Sequence, residues 1–210
     1  MPTSAKGSYH HGDLRATLMT IAMRMLEAGE PFSLRAIARE AGVSPTAPYR
    51  HFADRDALES ALAAEGLRNL KADLLRGSGG PPATVADLAE LGVAYVDFAL
   101  RRPALFRLMF GHPCDDANDA RVRAAAEVHE LLGAAVSGVF PDVDPAALAT
   151  AGWGLVHGLA CLHLDGKLTS VSAEDVANQV RSSFAAIFAA RAAVDDLAAS
   201  TVNTTVRESR

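Results

Sequence analysis

The sequence predicts an all-helical protein, with a three-helix head that contains a helix-turn-helix followed by a larger helical body. Three observations support this fold class. Apolar residues recur at helical spacing along the chain, alanine is abundant while β-branched runs are few, and no alternating strand pattern occurs. Half of the 210 residues are hydrophobic. The chain can therefore bury a sizeable core, in one large or two small domains.

The first predicted helix follows a small, polar N-terminus, and we expect residues 1–8 to form a flexible tail. Gly29 and Pro31 end this helix. Its apolar positions recur at the three- and four-residue spacing of one helix face. They are Leu14, Leu18, Ile21, Ala22, Met25 and Leu26. We expect this stripe to pack across the two short helices that follow.

Two short helices joined by a tight turn are predicted between Phe32 and Phe52. Ser33 is a good N-cap for the first, because its hydroxyl can accept from a free amide one turn later. Gly42 can take the left-handed conformation that ends a helix. Ser44 caps the second helix, which is expected over roughly Pro45 to Phe52. This is the sequence form of a helix-turn-helix, whose second helix enters the DNA major groove.

The remainder of the chain predicts longer helices, interrupted by a glycine- and proline-rich break at residues 77–82. The sequence after the last helix is polar and unpatterned, so residues 196–210 are expected to form a second flexible tail. The approximate helix ranges are 54–75, 83–100, 103–110, 117–140, 145–164 and 172–193.

Three runs near the N-terminus resemble the TetR family of bacterial repressors, whose motif reads A-G-V-S-x-x-x-x-Y-x-H-F-x-x-K-x-x-L. They are Gly42-Val43-Ser44, Tyr49-Arg50-His51-Phe52 and Arg55-Asp56-Ala57-Leu58. The chain departs from the pattern at Pro48, where the family usually has leucine or another apolar residue. The segment Trp153 to Gly158 resembles the W-x-x-x-H-G signature of the WHG type of C-terminal domain. The resemblance implies a DNA-binding domain over 10–70 and a ligand-binding and dimerisation domain over 83–193.

By resemblance, the helix-turn-helix and the start of the first helix bind operator DNA. Thr46 and Ala47 lie at the end of the recognition helix that points at bases in this motif. Tyr49 and His51 occupy positions that commonly reach phosphates, and Arg55 stands where the family's lysine grips phosphate. Simple solvation is the alternative for exposed side chains such as Arg50. The implied DNA-binding set is Tyr9, Arg15, Ser33, Ser44, Pro45, Thr46, Ala47, Tyr49, Arg50, His51 and Arg55, with His10 as a further candidate.

The resemblance also implies a homodimer in which the last two long helices pair with those of a second copy. Small residues that suit close helix packing occur on the first of these helices, at Gly152, Gly154, Gly158 and Ala160. A pocket for a small-molecule effector is expected between helices of the body. Its candidate lining is Phe98, Phe106, Met109, Phe110, Trp153 and His157, and the alternative is that these are ordinary core side chains.

Charge and cysteine usage favour a DNA reader in a reducing compartment. The net charge is −5. Residues 1–52 hold six Lys and Arg against four Asp and Glu, a net charge of +2 that leaves −7 for the rest. Cys114 and Cys161 form no disulfide framework. The N-terminus lacks the apolar stretch of a signal peptide, and no run approaches the ~20 apolar residues of a membrane span. We expect a cytoplasmic protein without a membrane partner.

Two other functional classes deserve comparison with the DNA-binding hypothesis. A metal sensor is suggested by His157 and Cys161, which are four residues apart on one helix, with His163, His129 and the His112–Cys114 segment elsewhere. No ligand set of fixed spacing is complete, so no metal or other cofactor is predicted. Signature motifs of enzymes such as G-x-S-x-G and H-E-x-x-H do not occur. The leading hypothesis is a ligand-responsive repressor that binds a pseudo-palindromic operator as a homodimer. The alternative is a helical small-molecule- or metal-binding protein without DNA-binding activity.

Overall fold

The computed structural model describes residues 13–31, 33–77, 80–111 and 120–208, with the backbone alone for 191–208. Within these residues the protein is all-helical and contains no strand, which confirms the predicted fold class. The α-helices are α1 Leu14–Glu27, α2 Leu34–Glu40, α3 Arg55–Gly77, α4 Val85–Arg101, α5 Pro103–Phe110, α6 Ala120–Val139, α7 Pro145–Leu164 and α8 Ala173–Glu208. A 3₁₀ helix, Ala47–Arg50, lies between α2 and α3.

Side-chain caps begin α1, α2 and α7. The predicted Ser44 cap does not form, because the 3₁₀ helix has Thr46 at its N-cap position and no side-chain cap hydrogen bond. The Asp13 carboxylate accepts from the Ala16 amide at 2.9 Å at the start of α1, and Ser33 Oγ accepts from the Ala36 amide at 3.2 Å at the start of α2. α7 has the predicted bounds, with the Asp144 carboxylate as its cap. The C-terminus differs from prediction, because α8 continues to Glu208 across residues expected to form a loose tail. Extending an existing helix is far easier than starting one. The other predicted tail, residues 1–8, lies outside the described residues.

The chain divides into two compact units. The first comprises the described residues up to Arg68 together with those from Arg102 to Ala125, and the second comprises Asn69–Arg101 and the described residues from Ala126 onward. This division differs from the domains expected from the sequence, 10–70 and 83–193, because α5 groups with the head. α5 packs against α1, and Gly66 on α3 lies where an added Cβ would meet Met109 Sδ at 2.6 Å. The large apolar side chains of α5 therefore complete the core of the first unit.

The core of the head is formed by the apolar stripes of α1, α2 and the start of α3. Gly42 has φ +69°, in the left-handed region, and ends α2 as predicted. An ion pair on the surface joins α1 to α2, since the Arg24 guanidinium lies 2.5 Å from a carboxylate oxygen of Glu40. The buried core residues include Leu18, Met25, Ile37, Phe52, Leu58 and Leu62.

The second short helix of the helix-turn-helix is not the α-helix expected over Pro45 to Phe52. It is a single 3₁₀ turn, Ala47–Arg50, between two turns. The cause is Pro48, which has no amide proton to donate to Ser44 four residues earlier. Its neighbours bond three residues back instead: the Ala47 amide donates to the Ser44 carbonyl at 3.0 Å, and the Tyr49 amide to the Thr46 carbonyl at 3.3 Å. The ring of Pro48 is itself buried.

The second unit is centred on α4, which packs against both α7 and α8. The close approach depends on Gly92, because an added Cβ would lie 2.8 Å from Phe184 Cε2 and 3.0 Å from Val156 Cγ1. The Arg181 guanidinium pairs with the Glu90 carboxylate at 2.6 Å and fastens α8 to α4 at the surface. This hydrogen bond lowers the pKa of Glu90.

α7 is apolar but little buried. Against the expectation from the sequence, it is long and apolar enough to cross a membrane by length and composition, although one such helix is weak evidence and not a clear span. Only 17% of its most apolar window is buried. An added Cβ at Gly154 or Gly158 would meet nothing within 4 Å. Ala160, expected beside these glycines on an interface, is fully buried and faces the core.

Candidate functional site

The segment around the 3₁₀ helix presents a polar surface on the first unit. Ser44, Thr46, Arg50 and His51 are exposed, and the Tyr49 side chain is 48% exposed although it is large and aromatic. Ser44 Oγ and Thr46 Oγ1 lie 3.2 Å apart and share a hydrogen bond. Pro45 is exposed as well, whereas Ala47 is only partly so. The segment predicted to face DNA is thus available at the surface, with hydroxyl, phenol, imidazole and guanidinium groups side by side.

Several other predicted DNA contacts also have structural roles. The Arg15 guanidinium stacks over the Phe52 ring, 5.2 Å from its centroid, where a cation–π contact holds it at the start of α1. Ser33 is occupied as the α2 cap. Arg55 Nε lies 2.6 Å from Glu59 Oε1 in an ion pair one turn along α3. Tyr9 and His10 lie outside the described residues.

A cavity lies inside the second unit. Its empty volume is about 530 Å³, part of which is open to solvent. Four helices and the end of α3 contribute to its wall, which is almost wholly apolar. Prominent lining residues are Leu74 of α3, Leu91 and Tyr95 of α4, Leu132 of α6, Trp153 of α7 and Phe188 of α8. A concave wall that is apolar apart from a few polar groups is typical of a small-molecule site.

A hydrogen-bonded cluster joins α4 to α7 beside this cavity. Trp153 Nε1 donates to Tyr95 Oη at 3.1 Å, and Tyr95 Oη lies 2.9 Å from His157 Nδ1. Because the indole N–H can only donate, the arrangement that satisfies every group has the Tyr95 hydroxyl donating to His157 Nδ1. Burial raises the pKa of Tyr95 and lowers the pKa of His157, so both side chains are neutral near pH 7. Trp153 and His157 of the W-x-x-x-H-G signature thus fasten α7 to α4.

The lowered pKa of His157 predicts that acid destabilises the protein. The unfolded chain binds a proton at this side chain more readily than the folded chain does, so stability falls as the pH drops through the unfolded value of 6.5. For one titrating group the free energy of unfolding can fall by at most about 1.4 kcal/mol per pH unit. The loss at His157 should be a fraction of this limit, because solvent reaches part of the ring. Free energies of unfolding measured at about pH 8 and pH 6 should differ more for the wild type than for His157→Gln, which cannot titrate. Equal differences would contradict this role for His157.

The structure brings together only part of the predicted ligand site. Trp153 lines the cavity, and His157 supports it through Tyr95. Phe98 is buried in the core of the second unit and is not among the lining residues. The three candidates on α5, Phe106, Met109 and Phe110, belong to the first unit and do not line this cavity.

The central role of Tyr95 was not predicted from the sequence. The signal was present, because a buried phenol among leucines and alanines needs a hydrogen-bond partner. Its partners lie 58 and 62 residues away along the chain, so the sequence could not identify them.

The metal hypothesis finds no support in the described part of the chain. Nowhere in it do three or more His, Cys, Asp or Glu side chains come together as a metal site would require. Cys161 and His163 lie on α7 without forming such a group, while His112 and Cys114 lie outside the described residues.

Two parts of the chain match known protein families. Residues 26–62, which contain the helix-turn-helix, match the family of bacterial regulatory proteins, tetR family. Residues 88–190, which contain the hydrogen-bonded cluster, match the tetracyclin repressor-like C-terminal domain. These matches point to a non-enzymatic regulator.

Solved structures show the same fold. A protein of unknown function from Rhodococcus sp. RHA1 is 34% identical, with a TM-score of 0.73, over 85% of this chain and 97% of its own. A transcriptional regulator of the TetR/AcrR family from Thermobifida fusca YX-ER1 is 18% identical, with a TM-score of 0.62, over 81% of this chain and 95% of its own. A tetR-family regulatory protein from Rhodococcus RHA1 is 18% identical, with a TM-score of 0.60, over 80% of this chain and 93% of its own. With a helix-turn-helix head and a C-terminal helical unit that both match its models, the chain belongs to the TetR family of transcriptional regulators.

Proposed function

We propose that this regulator is a cytoplasmic, ligand-responsive repressor that binds a pseudo-palindromic operator as a homodimer. The head, with residues 10–70, reads DNA, and the segment 83–193, with a C-terminal domain of the WHG type, dimerises and binds the effector. The polar surface around the 3₁₀ helix, residues 44–51, is called the reading segment below. The observation that carries the proposal is the combination of this exposed segment in one unit with an apolar cavity in the other.

The dimer is supported by the free face of α7. Between Pro145 and Leu164 the helix carries no Asp, Glu, Lys or Arg side chain. Its outer residues follow the three- and four-residue spacing of one face and are small or apolar: Ala147, Ala151, Gly154, Gly158 and Leu162. A smooth apolar face of this length is stable in water when it packs on another, and α7 and α8 of a second copy provide the matching surface. Such a dimer would place its two reading segments about 34–36 Å apart, one helical turn of DNA.

Effector control is supported by α3. Leu58 and Leu62 in its first half are core residues of the head, and Leu74 near its end lines the cavity. A ligand that displaces Leu74 therefore acts on the same helix that holds the head together. If the ligand binds better to a conformation that fits DNA poorly, it lowers operator affinity by population shift.

The reading segment is tested by single substitutions. Tyr49→Ala should weaken binding to all DNA sequences by roughly tenfold, and Arg50→Ala should lower the slope of log affinity against log salt by about one per protomer, because each removes a phosphate contact. Thr46→Ala should instead change the preferred bases. Binding measured by fluorescence anisotropy at several salt concentrations separates the two effects. Arg76→Ala, which removes an exposed arginine of the second unit, is the matched control. If none of the three head variants alters binding, the recognition segment is wrongly assigned.

The operator is found by selecting bound duplexes from a random DNA pool at two salt concentrations. We expect enrichment of a palindromic site and a steep loss of affinity at the higher salt concentration. A folded, dimeric protein that enriches no site would overturn the assignment of DNA binding to this chain.

A further inference from the structure

The side chains around the cavity in the second unit carry almost no polar atoms. Among the described residues that line it, only Tyr95 and Trp153 have side-chain nitrogen or oxygen atoms, and none carries a charge. The other lining side chains are leucine, valine, alanine and phenylalanine, with two glycines. A ligand inside the cavity is therefore surrounded by hydrocarbon and aromatic rings.

The two polar atoms of the wall are already engaged. The Trp153 N–H is used by the Tyr95 hydroxyl, and that hydroxyl is used in turn by His157 Nδ1. A ligand that took either hydrogen bond would have to break one within the protein, and replacing one hydrogen bond by another gains little. The side chains of the wall thus offer no hydrogen-bond donor that is not already engaged.

No charged side chain of these helices is among the described residues that line the cavity. Glu90 of α4 and Arg181 of α8 pair with each other at 2.6 Å and lie outside the cavity wall. An ionised ligand would find no opposite charge in the wall, so it would lose its hydration without compensation.

From this wall we infer that the cavity takes an uncharged, predominantly apolar small molecule, recognised by its shape and by contact with the rings of Trp153, Phe184 and Phe188. The inference rests on the proposed ligand-responsive function and adds the chemical class of the effector. Carboxylates, phosphates and ammonium compounds are rejected by the cost of burying their charge in such a wall.

The chain contains its own reporter for this inference. Trp153 is the single tryptophan of the sequence, and it lines the cavity. Nitroaromatic compounds quench indole fluorescence on contact, so saturable quenching in the full-length protein reports a probe beside Trp153. Three probes of nearly equal size differ in charge at pH 7: uncharged 4-nitrotoluene, anionic 4-nitrobenzoate and cationic 4-nitrobenzylamine. A free tryptophan amide corrects for absorbance and collisional quenching.

We expect 4-nitrotoluene to quench with a dissociation constant at least about tenfold lower than those of the two charged probes, because each ion loses hydration in the cavity. Equal or tighter binding of either ion would overturn the inference, as would the absence of saturable quenching by 4-nitrotoluene.

Matched variants localise the probe. Ala135 is buried and lines the cavity, whereas its neighbour Ala134 on α6 is exposed. Ala135→Leu should weaken 4-nitrotoluene binding by about tenfold, since it fills part of the space, and Ala134→Leu should leave it unchanged. Thermal unfolding checks that both variants fold, and Ala149→Leu on the α7 wall replaces Ala135→Leu if the latter does not. Unchanged binding to folded Ala135→Leu and Ala149→Leu would show that the quenching site lies elsewhere and would overturn the inference.

Operator binding in the presence of each probe separates this inference from the proposed function. If 4-nitrotoluene binds with the expected preference but leaves operator affinity unchanged, effector control fails and the ligand class stands. If a charged probe binds beside Trp153 and releases DNA, effector control stands and the ligand class is wrong.

Discussion

Replacement of Leu162 by glutamate should convert the proposed dimer into a monomer and lower operator affinity by at least about 100-fold, because the two half-sites are then bound independently. Leu162 lies on the outer face of α7 in line with Gly154 and Gly158, and its side chain is 43% exposed in the single chain. The substitution should cost the fold little, since nearly half of the residue's surface is already exposed. In the dimer it would bury a carboxylate without a partner, at a cost of several kcal/mol.

Light scattering coupled to size-exclusion chromatography measures the mass, and anisotropy measures binding to an operator duplex. Val171→Glu is the matched control, because Val171 is fully exposed between α7 and α8 and receives the same charge. This control should remain dimeric and bind normally. A dimeric Leu162→Glu variant would show that the copies associate through another surface.

The second large effect is expected from Tyr95→Phe. Tyr95 is 1% exposed, and its hydroxyl joins Trp153 to His157. Removing that oxygen leaves an indole N–H and an imidazole nitrogen without this partner, which should cost about 1–3 kcal/mol and lower the melting temperature by several degrees.

Differential scanning calorimetry measures this loss. Tyr49→Phe removes the same atom from an exposed side chain and should change stability by no more than about 0.5 kcal/mol. If Tyr95→Phe were as stable as the wild type, the cluster would not be what holds α7 against α4.

The sequence predicted those elements whose boundaries are set by local chemistry. α7 begins after the Asp144 cap and ends before Gly166, as predicted, because capping and chain reversal depend on a few adjacent residues. The helix-turn-helix was likewise identified from Ser33, Gly42 and Ser44 together with its family motif. The prediction of an α-helix for its second helix was wrong, although the sequence contains Pro48 at that position. A proline early in an α-helix can be harmless, and only the structure shows that the chain tightens into a 3₁₀ turn there.

The candidate ligand site was predicted less well, because it depends on contacts between distant segments. The helix over 103–110 was predicted, but periodicity shows that a face is buried and not what it is buried against. Phe106 and Met109 therefore looked as suitable for a pocket as Trp153 does. α5 instead packs against α1 and beside Gly66, so its large side chains belong to the core of the first unit. Both α1 and Gly66 lie more than thirty residues from α5 in the sequence.

The buried Pro48 also bears on the thermodynamics of DNA recognition. Proline fixes one backbone torsion, so the unbound reading segment has fewer conformations available than an ordinary short helix would have. In the proposed complex, less conformational entropy is lost when the segment meets the major groove. The same stiffness limits how far the segment can adjust to a base pair that does not fit. Discrimination between operators would then arise from the misfit of a rigid surface, and closely related sites would be rejected rather than accommodated.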